Sequence, residues 1–201
     1  DMVKAGCGDC QGCCDCCRDM GSSILLDPYD LFRLTTGLNR SFDQLLDDKI
    51  ELNVVDGLIL PNLKMQEKTQ ACGFLNAQGR CSIHPLRPGI CRIFPLGRYY
   101  EDRSFRYFLQ VHECKKEPKT KVKVQKWIDT PQAGRNEQFI IDWHYFVRDL
   151  SEQMTNADDN YQKTVSLYLL KNFYQKPYES SRDLYKQFYE RLDEAKKIFP
   201  V

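Results

Sequence analysis

Residues 7–17 of this 201-residue chain read CGDCQGCCDCC, six cysteines in eleven positions. Thiols at that density can bind metal, form disulfides or exchange electrons, and spacing separates the three. A Cys-x-x-Cys step turns the backbone so that two sulfurs meet at one ion. Cys7, Cys10, Cys13 and Cys16 follow that step in register, with Cys17 directly after and Cys14 outside it. Cys72, Cys81, Cys91 and Cys114 complete the set. Disulfides fit poorly. Cys13–Cys14 and Cys16–Cys17 are neighbours, which ordinary S–S geometry disfavours, and six clustered thiols outnumber four distant partners. One Cys-x-x-Cys step is shared with redox dithiols; a train of them points to metal.

Zinc and iron both accept four thiolates. A structural zinc site closes on four ligands. Iron–sulfur cubanes also take four each, and runs whose extra cysteine serves a second cluster suit them. Neighbouring side chains point apart, so Cys16 and Cys17 can serve two metal positions. The expectation is one or two iron–sulfur clusters, of the [4Fe-4S] type, with Zn2+ as the alternative. Two such centres bring about −4 of charge. Arg18, Arg80, Arg87, Arg92 and Arg98 lie near cysteines in sequence. Arg87 and Arg92 are the candidates to hydrogen-bond the centre and tune it, against an ordinary surface or carbonyl-capping role. His84 and His112 lie near Cys81 and Cys114 and offer imidazoles. His144, in an aromatic stripe, reads as packed.

Cys10-x-x-Cys13-x-x-Cys16-Cys17 resembles the CxxCxxCC signature of the YkgJ-type cysteine-cluster family. The resemblance continues through Cys72-Gly-Phe-Leu, Gly79-Arg-Cys81-Ser-Ile-His and Arg87-Pro-Gly-Ile-Cys91-Arg-Ile-Phe-Pro, and Cys114 is similar to the family's last cysteine. It covers residues 10–114. Members are described as zinc- or iron-chelating and often labelled iron–sulfur proteins, and a related module occurs in flagellin lysine N-methylases. The resemblance implies Cys10, Cys13, Cys16, Cys17, Cys72, Cys81, Cys91 and Cys114 as ligands. Cys7 and Cys14 exceed the usual eight, Cys7 being the next candidate and Cys14 the last.

The elements around these thiols read as α+β. Ser23–Leu26 reads as a short strand. Asp27-Pro28 caps a helix that Gly37 closes, and Ser41 with Gln44 forms a capping box for a helix over 42–48. Asp56-Gly57 between apolar runs signals a hairpin. Residues 72–83 suggest another hairpin, 84–95 a proline-bearing loop with one helical turn, and 96–111 a hairpin turning at Glu101–Arg103. Phe139, Ile140, Trp143, Phe146, Val147 and Leu150 follow a helical stripe. Tyr161–Tyr174 continues likewise, and Ser180 opens a last helix. Residues 1–115 are expected to form the metal-binding region and 116–201 a helical region packed on it.

Several functions are read out. Net charge is +1, with 28% charged and 42% hydrophobic residues, which gives no reason to expect nucleic acid or an anionic membrane as main partner. No apolar run approaches the roughly 20 residues of a membrane span, no signal peptide is seen, and thiol-based metal ligation suits a reducing compartment; a cytoplasmic protein is expected. Gly97-Arg-Tyr-Tyr and Phe105-Arg-Tyr-Phe read as strand alternation rather than a base-stacking surface. The run Lys115–Lys126 reads as a solvated linker. Walker, GxSxG and HExxH motifs are absent. The functional expectation is redox or electron transfer at an iron–sulfur centre, against a structural zinc module or a metal storage and delivery protein.

Overall fold

Helix and turn signals written in the sequence set the frame. The computed structural model describes residues 1–6, 8 and 13–201, so Cys7 and Cys10 lie outside the described residues. The chain runs β1 (Met2–Gly6), α1 (Pro28–Leu38), α2 (Phe42–Leu46), β2 (Ile50–Val55), β3 (Leu58–Leu63), α3 (Gly89–Ile93), β4 (Leu96–Glu101), β5 (Ser104–Leu109), β6 (Thr120–Lys123), α4 (Val124–Ile128), α5 (Ala133–Met154), α6 (Asp159–Leu169) and α7 (Leu184–Ile198). Short 3-10 turns cover Asp15–Cys17 and His84–Leu86, and a π-helical turn, Leu170–Gln175, extends α6. The fold is α+β, with strands in two-stranded antiparallel pairs β1–β6, β2–β3 and β4–β5. Among the described residues no helix is long and apolar enough to cross a membrane.

Capping works as the sequence implies. The Asp27 carboxylate accepts from the Asp30 amide at 2.8 Å and Ser41 Oγ from the Gln44 amide at 3.1 Å, each within a reciprocal capping box. Both hairpin turns need positive φ at two central residues. Asp56 (48°) and Gly57 (83°) supply it in one, Asp102 (49°) and Arg103 (54°) in the other. A Cβ on Gly57 would stand 2.8 Å from Met154 Cβ, so this turn also needs glycine to pack on α5.

The apolar stripes of α5, α6 and α7 meet in one core with α1, α2 and β2–β3. Phe139, Phe146, Phe173 and Phe188 are fully buried there. Phe139 meets Phe188 edge-on with centroids 4.5 Å apart, and Trp143 meets Phe173 at 4.9 Å. Tyr174 donates its hydroxyl to Leu26 O at 3.1 Å, tying this helical end to the segment before α1.

Five local expectations are corrected. Residues 23–26 make one bridge, Leu25 to Asn62, before the chain turns into the Asp27 cap. Helix α1 passes through Gly37 and ends at Asn39, whose φ of 52° takes the left-handed cap. Residues 72–83 form no strand pair beyond the bridge Leu75–Cys81, because Cys72 already bridges Met65. Asp183, not Ser180, caps α7, accepting from the Lys186 amide at 2.9 Å. Finally, the lysine run holds β6 and α4 rather than a linker, since Val122 and Val124 give it an inward face.

Candidate metal centre

The described thiols are gathered by backbone pairing, one segment on the next. After the turn at Asp15–Cys17, residues 17–19 run antiparallel to 70–72: Cys72 N donates to Cys17 O at 2.7 Å, Arg18 bridges Ala71, and Asp19 N donates to Gln70 O at 2.8 Å. On its other side the 71–73 segment bonds to 64–66, with Gly73 N to Lys64 O at 3.0 Å. Asn76 Oδ1 accepts from the amides of Gln78 and Arg80, closing the turn that returns Cys81 against Leu75. Phe74 and Ile83, 4% and 3% exposed, anchor this loop in the core.

Cys91 sits in α3, which is held at both ends. The buried Asp30 carboxylate accepts from the Gly89 amide at 2.8 Å. The Trp127 indole donates to Ile93 O and Phe94 O at 3.1 and 3.2 Å. Arg33 donates to Pro85 O just upstream. Asp30 and Trp127 are positioning residues that the cysteine spacing alone does not reveal; the capping box around Asp27 is the one sequence signal for Asp30.

Five thiols thereby share one neighbourhood. Cys16 and Cys17 are hydrogen-bonded, Cys17 feels Cys81 and Cys72, and Cys91 feels Cys72, Cys16 and Cys81. The bond from Cys17 pulls Cys16 down to about 7 and raises Cys17, so the pair yields one thiolate near neutral pH, the form that ligates metal. Burial pushes the Cys72, Cys81 and Cys91 thiols up. The Arg87 cation counters this at Cys81 and also lowers Cys16. Among the described residues, no three of these or other ligating side chains converge closely enough to grip one ion. The donor set still fits a thiolate-bound metal: soft sulfurs, partly buried, beside a guanidinium, on loops held by single bridges that permit adjustment.

The other candidates are positioned by their own elements. Cys13 and Cys14 are half-buried before the turn, and Cys14 meets the Arg18 guanidinium. Cys114 is half-buried on the β5–β6 connection. Arg92 donates to Asp129 O at 2.9 Å and Pro85 O at 3.5 Å, so its resolved bonds tie α3 to the end of α4. Lys49, not singled out by sequence, donates to Gly73 O at 2.9 Å beside Cys72. His84 lies in the turn after Cys81, and His112 is exposed before Cys114.

His144 stacks on Tyr100 with centroids 3.5 Å apart. Burial, then the Arg148 and Arg98 cations, push it down to about 4. The unfolded chain, with His near 6.5, therefore binds this proton first. Stability from His144 is full above about pH 6.5 and is lost as pH falls toward 4. Asp27 runs oppositely: burial raises it to about 6, so its contribution is lost as pH rises from about 4 to 6. His144→Phe should keep the stack and flatten the acid-side decline, read as denaturation midpoints at about pH 7 and 5. An unchanged difference between the two would remove His144 as its source.

A family model described as "CxxCxxCC: putative zinc- or iron-chelating domain" matches residues 9–129. No curated protein and no solved structure matches the chain.

Proposed function

Because the chain belongs to the CxxCxxCC family, whose domain is described as zinc- or iron-chelating, we propose that its cysteines hold one or two iron–sulfur clusters serving electron transfer. The observation that supports this reading is the electrostatic coupling of Cys16, Cys17, Cys72, Cys81 and Cys91, drawn from separate stretches of the chain, with the Arg87 cation acting on Cys16 and Cys81. Five neighbouring thiols exceed the four of one closed site, and the train beginning at Cys7 and Cys10 supplies more. A bound cluster would contribute reversible one-electron chemistry. The chain's own residues contribute thiolate ligation, exclusion of water by Phe74 and Ile83, and partial charge compensation by Arg87. Asp30 and Trp127 fix the turn that carries Cys91.

The test is ligand-by-ligand replacement. Cys81→Ser and Cys91→Ser should each lose most of the bound metal, measured by elemental analysis after anaerobic purification. Cys14→Ser, against Arg18 and outside the three-residue step, should retain it. Full metal retention in both Cys81→Ser and Cys91→Ser would remove the downstream cysteines from the centre.

A further inference from the structure

The β1–β6 ribbon breaks a rule of sheet design. Residues directly opposite in an antiparallel pair share a face, and like charges there are destabilising. Lys4 is opposite Lys121, and Met2 is opposite Lys123, all four exposed. The other face, Val3, Ala5 and Val122, is turned inward. Lysines also blunt exposed strand edges against aggregation, but edge protection does not require two of them to oppose each other. Glu117 is one counter-charge: it binds Lys119 at 3.1 Å and feels Lys4. Among the described residues no ion pair engages Lys121 or Lys123.

The charge is concentrated here. Residues 1–6 and 113–126 hold seven lysines against three acids, in a chain whose total is only +1. The ribbon is also wired to the thiols. Its first strand leads into Cys7, its second follows Cys114, and α4 beyond it bonds to α3, the Cys91 helix, through Trp127.

We infer that this lysine face is a docking surface for an acidic polypeptide, seated beside the cysteine centre. All its cations are lysines, point charges without the fork that grips phosphate in two places. The face carries no aromatic ring on which a base would stack. Tyr99 and Phe108, the exposed rings with basic neighbours, lie on the separate β4–β5 hairpin. An acidic protein surface is the partner whose charge complements it, and such complementarity steers encounter and fixes orientation. The inference does not depend on which metal the centre holds.

The test uses the full, metal-loaded chain with a polyglutamate peptide as probe at low salt, and with oligothymidylate and phosphatidylglycerol vesicles as rival probes. The triple variant Lys4→Glu, Lys121→Glu, Lys123→Glu should weaken peptide binding about tenfold or more. The triple Lys163→Glu, Lys171→Glu, Lys186→Glu, equal in charge change and exposed on helices, should change it less than about twofold. If the glutamate variant misfolds by circular dichroism, the glutamine triple at Lys4, Lys121 and Lys123 decides, with about threefold weakening expected. The inference falls if wild-type protein does not bind the peptide, if both triples weaken it equally, or if oligothymidylate or vesicles bind more tightly through the same lysines.

Discussion

Stripping the metal anaerobically with a chelator is expected to open residues 13–20 and 64–95 to protease while α5–α7 stay protected. The first two segments hold little regular structure: bridges at Arg18–Ala71, Met65–Cys72 and Leu75–Cys81, short turns, and the five-residue α3. On the proposed reading ligation would add the main clamp, and for thiolate-rich sites metal binding can carry about 10 kcal/mol of folding free energy. The helical half owes its order to apolar burial instead, since Phe139, Phe146, Leu150, Phe173 and Phe188 are at most 2% exposed. Cleavage within 64–95 should rise about tenfold or more on metal removal, read by mass spectrometry of the fragments. Equal protection with and without metal would mean that the loops hold themselves. The anchors Phe74 and Ile83 should keep the loops tethered, so opening is expected to be local rather than global.

The opposite result is expected for Arg191→Ala, which should cost stability and leave metal content unchanged. Arg191 is 7% exposed on α7 and donates to Asn172 O, Lys176 O and Pro177 O at 2.8, 2.8 and 2.7 Å. Its guanidinium also lies 3.7 Å from the Tyr178 ring centroid. The π-helical turn at Leu170–Gln175 ends here, and one of its carbonyls together with the two that follow its end find partners in this one side chain. Truncation leaves three acceptors short of a donor, a loss of about 3 kcal/mol. For a chain of this size that lowers Tm by about 6–12 °C. Arg191→Lys should recover only part of it, because one ammonium cannot span three carbonyls as a planar fork does. A Tm within about 2 °C of wild type for Arg191→Ala would show that water satisfies those carbonyls.

Where the sequence carried local chemistry, it was readable. The Asp27-Pro28 start, the Ser41–Gln44 box, the Asp56-Gly57 turn and the stripe from Phe139 to Leu150 all formed as their side chains dictate. Turns were harder where competing local signals existed. Asn39 took the left-handed cap that Gly37 suggested, and Asp183 took the cap role over Ser180, because a carboxylate one residue before the apolar stripe is better placed. The extended piece at Ser23–Leu26 read as a short strand, and 72–83 read as a hairpin with a cysteine near the start of each strand. The first makes one bridge and the second only isolated ones, and that choice is set by long-range partners, Asn62 for Leu25, and Met65 and Cys17 for Cys72. No local pattern reveals such partners.

The candidate site divides the same way. The Cys-x-x-Cys step drew attention to the N-terminal train, and the family resemblance implied Cys10, Cys13, Cys16, Cys17, Cys72, Cys81, Cys91 and Cys114 as ligands; of these, Cys16, Cys17, Cys72, Cys81 and Cys91 influence one another electrostatically. Their supports were illegible. Asp30 reaches Gly89 across 59 positions and Trp127 reaches Ile93 across 34. The lysine run looked like solvated chain because its charge hid the two inward valines, Val122 and Val124, that make it strand and helix.

The most direct test of the central claim is metal and acid-labile sulfide quantification, with EPR, on protein purified without oxygen. Brown protein with iron and sulfide in equal amounts is expected, with an EPR signal that appears or disappears reversibly on reduction. Colourless protein with stoichiometric zinc, and neither iron nor sulfide, would contradict it.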